Sequence, residues 1–383
     1  MKSQRSETYV ILRSPKGDEE SKKRFFASLR MTLFGICFVA SFFAMTLSCS
    51  VCFADLAHYF DYLDKNRDHF GIKEDNAFGM KEKLFAGGDI NDLGISAKVC
   101  AEKREFLDAN ETLGAELQEA LLLNDKRYKQ STQAASLYLY SDMAEHTRFS
   151  TELKYSHPRI YDLHDGIDLE LEKYKGSSNV VSLLLRGENS TIDNGDYPTI
   201  GRKTDANFEV SSSALGSDFN FLRTKLENGF YYTPVKLDNP VNKLTFAFLQ
   251  QAGWMAKTNS DEDIPFFERF YAGGTTTVRG YRPRYLAPRD KEDEPIGGDC
   301  MVAWTVEARY PVWKKISAAV FYDQGNAWSK SDQMNLNDTK IGVGSGLRWA
   351  TTWGIARLDY GYGLNGNTRQ RGGRAHLSLG MKF

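Results

Sequence analysis

Side chains over the last hundred residues alternate apolar and polar with period two, and this feature narrows the possible folds more than any other. In "RAHLSLGMKF", Ala375, Leu377, Leu379, Met381 and Phe383 share one face, while Arg374, His376, Ser378, Gly380 and Lys382 share the other. "MVAWTVEARYPV" sets Val302, Trp304, Val306, Ala308 and Tyr310 against Ala303, Thr305, Glu307 and Arg309. "KIGVGSGLRW" sets Ile341, Val343, Leu347 and Trp349 against Gly342, Gly344, Gly346 and Arg348; upstream, Phe149, Leu153 and Tyr155 alternate with Ser150, Glu152 and Lys154. Successive strand residues point to opposite faces, so these runs are strands with one apolar face. A soluble sandwich would turn that face inward. Three features favour the opposite, with the apolar face turned outward to lipid. The strands are many and run about ten residues between turns such as "NGD" and "DANE". Tyr and Trp recur at strand ends. The polar face carries Arg, Glu and Lys beside Gly, as a hydrated lumen does. The expected fold is all-β, a transmembrane antiparallel β-barrel. At roughly 20 residues per strand and turn, the chain beyond Ala54 supplies about 16 strands.

The pattern begins near residue 94. Between 110 and 136, "ETLGAELQEALLLNDKRYKQ" is rich in helix formers and reads either as a short amphipathic helix or, if the barrel is to close, as one strand and a turn. Gly and Pro clusters mark loops at 193–202 and 283–298. The second, with "PRDKEDEPIGG", is charged enough to be a solvated outer loop.

A mean hydropathy of -0.47 argues against a helical membrane protein. The one long apolar run, Met31 to Ala54, follows Lys22, Lys23, Arg24 and Arg30 and ends on small residues at A-x-A-like spacing. It reads as a secretory signal peptide, with a single membrane anchor as the competing reading. Residues 1–30 are polar and turn-rich, and translation is expected to start at Met31. Removing residues 1–54 leaves acidic groups in excess of basic ones, which argues against nucleic acid as a partner. Of five cysteines, Cys100 and Cys300 lie beyond the signal, too few for a disulfide framework or a metal site. A single long-range disulfide and two free thiols both remain open.

"FYAGGTTTVRGY", residues 270–281, places one cation, Arg279, among glycines and threonines. A bland reading makes it an exposed arginine on a surface loop. A phosphate-cradling loop is disfavoured, because no G-x-x-x-x-G-K-[ST] is present. The stretch resembles the loop-six signature of the outer-membrane protein assembly-factor superfamily, the BamA- and TamA-like barrels that include the two-partner secretion transporters. "AAVFYDQGNAW", with Phe321, Asp323 and Gly325, is similar to that family's strand motif, and "TVEARYPV" to the strand before it. "STIDNGDYPTIGRKTDANFEV", "GSDFNFLRTKLENGFYYTPV" and "ELKYSHPRIYDLHDGIDLELEKY" resemble its hairpins. Leu377, Leu379, Met381 and the terminal Phe383 match the signal that targets barrels for assembly. The likeness spans roughly residues 80 to 383.

The resemblance implies that loop six folds back into the lumen with Val278, Arg279, Gly280 and Tyr281 at its tip. An arginine facing lipid at the midplane costs about 2 to 4 kcal/mol, whereas a lumenal carboxylate can hold it by a charge-assisted pair. The lumen-phase carboxylates are Glu307 and Asp323, and Arg279 is expected to bind one or both. Gly273, Gly274 and Gly280 permit positive φ or close approach, and Thr275 to Thr277 can hydrogen-bond locally. The family also implies a weakly paired seam between first and last strands, where a substrate strand can add to the edge; here Gly380 would weaken the closing strand. Family members carry periplasmic POTRA domains, for which residues 55–79, ahead of a first candidate strand "MKEKLFAGG", leave no room. A barrel-only branch is therefore expected, served if need be by a POTRA-bearing or other periplasmic partner.

The leading functional expectation is a machine that inserts or translocates unfolded outer-membrane or secreted polypeptides at the outer membrane. The competing one is a passive pore or structural barrel working with a separate periplasmic subunit. An outer-membrane enzyme is disfavoured, because the six histidines sit in no catalytic motif; His376 is expected to be an ordinary hydrated lumenal residue. No cofactor or metal is indicated.

Overall fold

The computed structural model describes residues 9–10, 82–90, 94–104, 111–122, 128–163, 172–195, 197–234, 244–259, 263–291, 293–351, 354–366 and 372–380. The signal peptide, the Met31 start, the segment 55–79, Met381 and Phe383 lie outside the described residues.

Fourteen long strands carry the fold among the described residues. They are β1 (Glu82–Ile90), β2 (Gly94–Arg104), β3 (Glu111–Leu122), β4 (Lys129–Ala144), β5 (Thr147–Tyr161), β6 (Val180–Ser190) and β7 (Gly201–Ser211). The second half comprises β8 (Phe221–Tyr232), β9 (Thr245–Lys257), β10 (Cys300–Trp313), β11 (Ile316–Trp328), β12 (Lys340–Thr351), β13 (Gly354–Gly363) and β14 (Gly372–Gly380). Each pairs antiparallel with its sequence neighbours in one sheet, to which the two-residue segments Tyr9–Val10 and Gly176–Ser177 add short ladders. Leu379 of β14 pairs with Ile90 of β1, bringing the two ends of the sheet together.

The alternating pattern sorts the faces. Val306, Tyr310, Val320, Leu347, Trp349, Leu358 and Leu377 are exposed on the outside, while Glu307, Arg309, Asp323, Arg348, Asp359 and His376 on the opposite phase are buried. Apolar side chains outward and buried charges inward is the inverse of a soluble core, and it fits a wall facing lipid. Tyr232, Trp313 and Tyr161 at strand ends supply interfacial aromatics. The helix-forming stretch from Glu111 is strand β3, paired along its length with β2 and β4, so ladder hydrogen bonds on both edges override its helix propensity.

Two-residue connections at 145–146 and 314–315 mark one rim, the periplasmic one by the rule that periplasmic turns are short and outer loops long. Loop 258–299 leaves the opposite rim and turns inward. It is no solvated outer excursion. Leu286, Pro295, Gly297 and Gly298 are buried, and isolated bridges tie Phe270 to Gly298, Ala272 to Leu286 and Arg289 to Pro295. The charges of "PRDKEDEP" are partly spent inside the loop, where Arg289 donates to the carbonyls of Tyr285 and Asp293. At the outer mouth Tyr128, Tyr174, Phe219, Phe266 and Phe267 pack tilted or edge to face, with centroids 5.0 to 6.0 Å apart, bringing four connections together under an aromatic cap.

Candidate functional site

The tip of the loop lies against the lumenal wall made by β10 to β14, where the sequence has removed side chains to receive it. A Cβ on Gly342 would collide with the Arg279 carbonyl oxygen, one on Gly361 would lie 2.6 Å from the Gly280 nitrogen, and one on Gly363 would lie 2.8 Å from the Tyr281 ring. These glycines fall on one strand phase and open a trough. Within the loop, Gly280 has φ +92°, and its own Cβ would sit 2.6 Å from the Gly363 nitrogen, so both conformation and space demand glycine there. Gly273 and Gly274 also have positive φ; the Gly273 amide donates to Thr277 Oγ1 at 2.8 Å, and Gly274 to the Val278 carbonyl at 3.1 Å. Val278 and Tyr281 are fully buried in the apolar cluster beneath the loop.

Arg279 is 4% exposed and is gripped from three strands. Its Nε and Nη2 form a fork onto Asp323, at 2.7 Å to Oδ2 and 2.8 Å to Oδ1, and its own amide donates to Asp323 Oδ2 at 3.0 Å. Its Nη1 donates to Glu307 Oε2 at 2.9 Å and to Asp359 Oδ2 at 3.2 Å. The guanidinium also stacks on Phe321, 3.3 Å from the ring centroid. The network extends through two wall arginines. Arg309 Nε donates to Glu307 Oε1 at 2.8 Å, and Arg348 donates to Glu307 Oε2 at 2.9 Å and to Asp359 Oδ1. Thr305 Oγ1 donates to Asp323 Oδ1 at 2.9 Å. Three buried guanidinium groups thus meet three buried carboxylates, which offsets the several kcal/mol each isolated ion costs on leaving water. The Gly280 amide donates to His376 Nε2 at 3.0 Å, and the Tyr281 hydroxyl lies 3.0 Å from the Ile341 carbonyl and 2.7 Å from that of Asn365.

Of the residues singled out from sequence, the structure brings together Arg279, Glu307, Asp323 and Phe321 with the flanking loop residues. Gly325 stands apart on β11, paired with Ala303 and Lys340. Leu377 faces outward, and Leu379 and Gly380 lie on β14 at the seam, remote from the loop tip. His376 corrects the expectation of a hydrated residue: it is 2% exposed, because the loop backbone covers it. Asp359 is the carboxylate that sequence reading missed. It sits across the ladder from Gly346 and His376, and the lumen-phase glycines beside it were the available signal. Arg309 and Arg348 were placed on the lumenal phase but given no part.

The base of the loop has a second anchor. Arg223 on β8 donates to Glu209 Oε2 at 2.8 and 2.6 Å and to Glu268 Oε2 at 2.8 Å, and Ser182 donates to Glu209 at 2.7 Å. Among the described residues no group of His, Cys, Asp and Glu has the arrangement of a metal site, and Cys100 and Cys300 are both free thiols.

Outward apolar face, charged lumen and inward-folded loop define a transmembrane β-barrel plugged by its own chain. Residues 76–383 match the Omp85 superfamily domain, and the chain belongs to that superfamily. It is similar to the outer membrane protein assembly factor BamA of Nitratidesulfovibrio vulgaris, 28% identical over 230 residues that cover 58% of this chain and 28% of the relative. It is also similar to BamA of Neisseria meningitidis, 22% identical over 372 residues that cover 82% of this chain and 44% of the relative. The chain therefore spans less than half the length of these curated relatives. Its fold is similar to the crystal structure of BamA from Haemophilus ducreyi lacking POTRA domains 1-3, with a TM-score of 0.64 and 18% identity, covering 81% of this chain and 66% of that one. Barrel and family place the chain in the bacterial outer membrane.

Proposed function

We propose that residues 80–383 act as one barrel that assists the insertion or translocation of unfolded outer-membrane or secreted polypeptides, without covalent chemistry, through a lateral seam and a lumen gated by the loop. The observation that carries this reading is the seam. Other neighbouring long strands pair along most of their lengths, whereas β14 and β1 are joined, among the described residues, by Leu379 with Ile90 alone. Besides that pair, the β1 edge carries among the described residues the two-residue segment Tyr9–Val10 at Leu84 and Phe85, and its remaining amides and carbonyls are open to an incoming strand, which can add by β-augmentation. The Arg279 network supports the second half of the reading. It holds the loop in the lumen by charge, so the seam can work while the lumen stays filled. A periplasmic partner that recruits substrate belongs to the same proposal, and the reading needs no catalytic residue.

The test is the rate at which an unfolded outer-membrane protein inserts into proteoliposomes with and without the purified barrel, with Arg279→Ala as control. Acceleration by the wild type that the variant loses supports the proposal. A correctly folded barrel that gives no acceleration removes it and leaves the passive or structural barrel.

A further inference from the structure

The connection between β6 and β7, residues 191–200, is at the periplasmic rim, and it curls into the mouth of the barrel. Its hairpin frame is closed by Thr191 donating to the Arg202 carbonyl at 2.8 Å and Asp193 to that of Ile200 at 3.1 Å. The Asp193 carboxylate caps the returning limb, accepting from the Thr199 amide at 2.8 Å, the Thr199 hydroxyl at 2.5 Å and the Ile200 amide at 3.1 Å. Two contacts fasten the turn to the wall. Thr233 Oγ1 donates to the Thr199 carbonyl at 2.9 Å, and Ile192 packs on the buried cluster of Tyr231, Ala247 and Leu249. Pro198 is buried and Tyr197 and Thr199 are half-buried, whereas Thr191, Asp193, Asn194 and Gly195 are exposed, so it is the returning limb that packs inward.

Tyr197 occupies the inner side of this turn. Its ring lies 5.5 Å from the Arg309 guanidinium, and the ring of Tyr231 lies 5.6 Å from the same group. Arg309 is therefore flanked by two tyrosine rings while its Nε holds Glu307, and Glu307 in turn holds Arg279. This row of contacts runs from the periplasmic mouth to the loop tip with no gap wider than a cation–π contact. A cation facing aromatic rings in a desolvated site is held more firmly than one in water, so the turn fixes where Arg309 can sit.

We propose that Tyr197 is a positioning residue for the loop: by seating Arg309 it sets the grip of Glu307 on Arg279, so that whatever displaces turn 191–200 from the periplasmic side loosens the loop tip. This deepens the proposed function, on which its biological meaning rests, but its test reads loop order rather than insertion, so the two can fail separately.

Hydrogen exchange of the peptide spanning residues 273–285 tests this in the full-length barrel. Within it, the amides of Arg279 and Gly280 exchange only when their hydrogen bonds to Asp323 and His376 open, so merely admitting water at the mouth does not raise their exchange. Tyr197→Phe, which keeps the ring face, is expected to exchange like the wild type. Tyr197→Leu, which keeps apolar bulk without a π face, is expected to exchange roughly fivefold faster or more, the size of a partly desolvated cation–π contact. Tyr197→Ala should match or exceed it. If Tyr197→Leu, with wild-type heat-modifiable migration, exchanges at the wild-type rate, Tyr197 only fills the mouth and the inference falls. It falls equally if the Phe and Leu variants accelerate exchange to the same extent.

Discussion

Replacing Arg279 by alanine creates a deficit that can be located atom by atom. Glu307 keeps Arg309 and Arg348, and Asp359 keeps Arg348, whereas Asp323 loses both prongs of its fork and retains only Thr305 Oγ1 and the amide of residue 279. The loss therefore concentrates on one fully buried carboxylate. Breaking a buried pair from one side costs about 3 to 5 kcal/mol, because the remaining charge is left uncompensated. At 1.36 kcal/mol per tenfold, this raises the opening equilibrium of the loop tip by roughly two to three and a half powers of ten. Asp323→Ala alone should cost less, since Arg279 still has Glu307 and Asp359. The double variant is the decisive one: it removes the orphaned charge, so its loop should open less than that of Arg279→Ala alone, with a coupling of about 0.5 to 3 kcal/mol. Amide exchange of residues 273–285, on barrels shown folded by heat-modifiable migration, reads all three. A rise under tenfold for Arg279→Ala, or a double variant that exchanges faster than it, would refute the assignment of this network as the force that holds the loop.

Further expectations follow from the wall and the rim. Val306→Arg puts a cation on the outward face in the middle of β10 and should cost about 2 to 4 kcal/mol in urea unfolding from lipid or micelles; no cost would mean that this face does not meet hydrocarbon. Gly342→Val leaves every charge in place but drives a side chain into the Arg279 carbonyl, so a trypsin site in the loop should become accessible in a barrel that still migrates as folded. Burial opposes ionisation of Asp193, yet the Thr199 hydroxyl and the amides of Thr199 and Ile200 outweigh it and hold the carboxyl below its usual range. A depressed carboxyl contributes stability that is fully present above its unfolded value of about 3.9 and is lost as pH falls through the folded one. Pepsin nicking within residues 191–200 should accordingly begin only below about pH 4, and earlier in Asp193→Asn.

The strand phases were legible in the sequence because lipid and lumen impose opposite demands on alternate residues. Val302, Trp304 and Val306 therefore fall on the face opposite Glu307 and Arg309. The motif containing Arg279 was legible too, along with two of its carboxylates, since those lie on strands with clear alternation. Asp359 was not, because its place beside Arg279 depends on how β12, β13 and β14 are staggered, and register is a property of the sheet rather than of one segment. Tyr197 escaped for a related reason: "DNGDYPTIGR" carries every mark of a turn, and nothing local says that the turn bends into the lumen rather than away from it. The helix formers of β3 left helix and strand both open, and the strand prevails because propensity is worth tenths of a kcal/mol per residue, less than a ladder filled on both sides. The acidic run near residue 290 misled because charge was read as solvation, while Arg289 satisfies backbone carbonyls inside the fold.

In the proposed function the seam opens to admit a strand. Opposed residues in an antiparallel pair have Cα atoms about 4.5 to 5.5 Å apart, within reach of a disulfide. Ile90→Cys with Leu379→Cys, in a chain whose native cysteines are replaced by serine, can therefore staple β1 to β14 at the pair that joins them among the described residues. Insertion of an unfolded outer-membrane protein into proteoliposomes is then measured with the staple oxidised and reduced. The account predicts acceleration that disappears on oxidation and returns with reductant; an oxidised barrel that works as fast as the reduced one would contradict it.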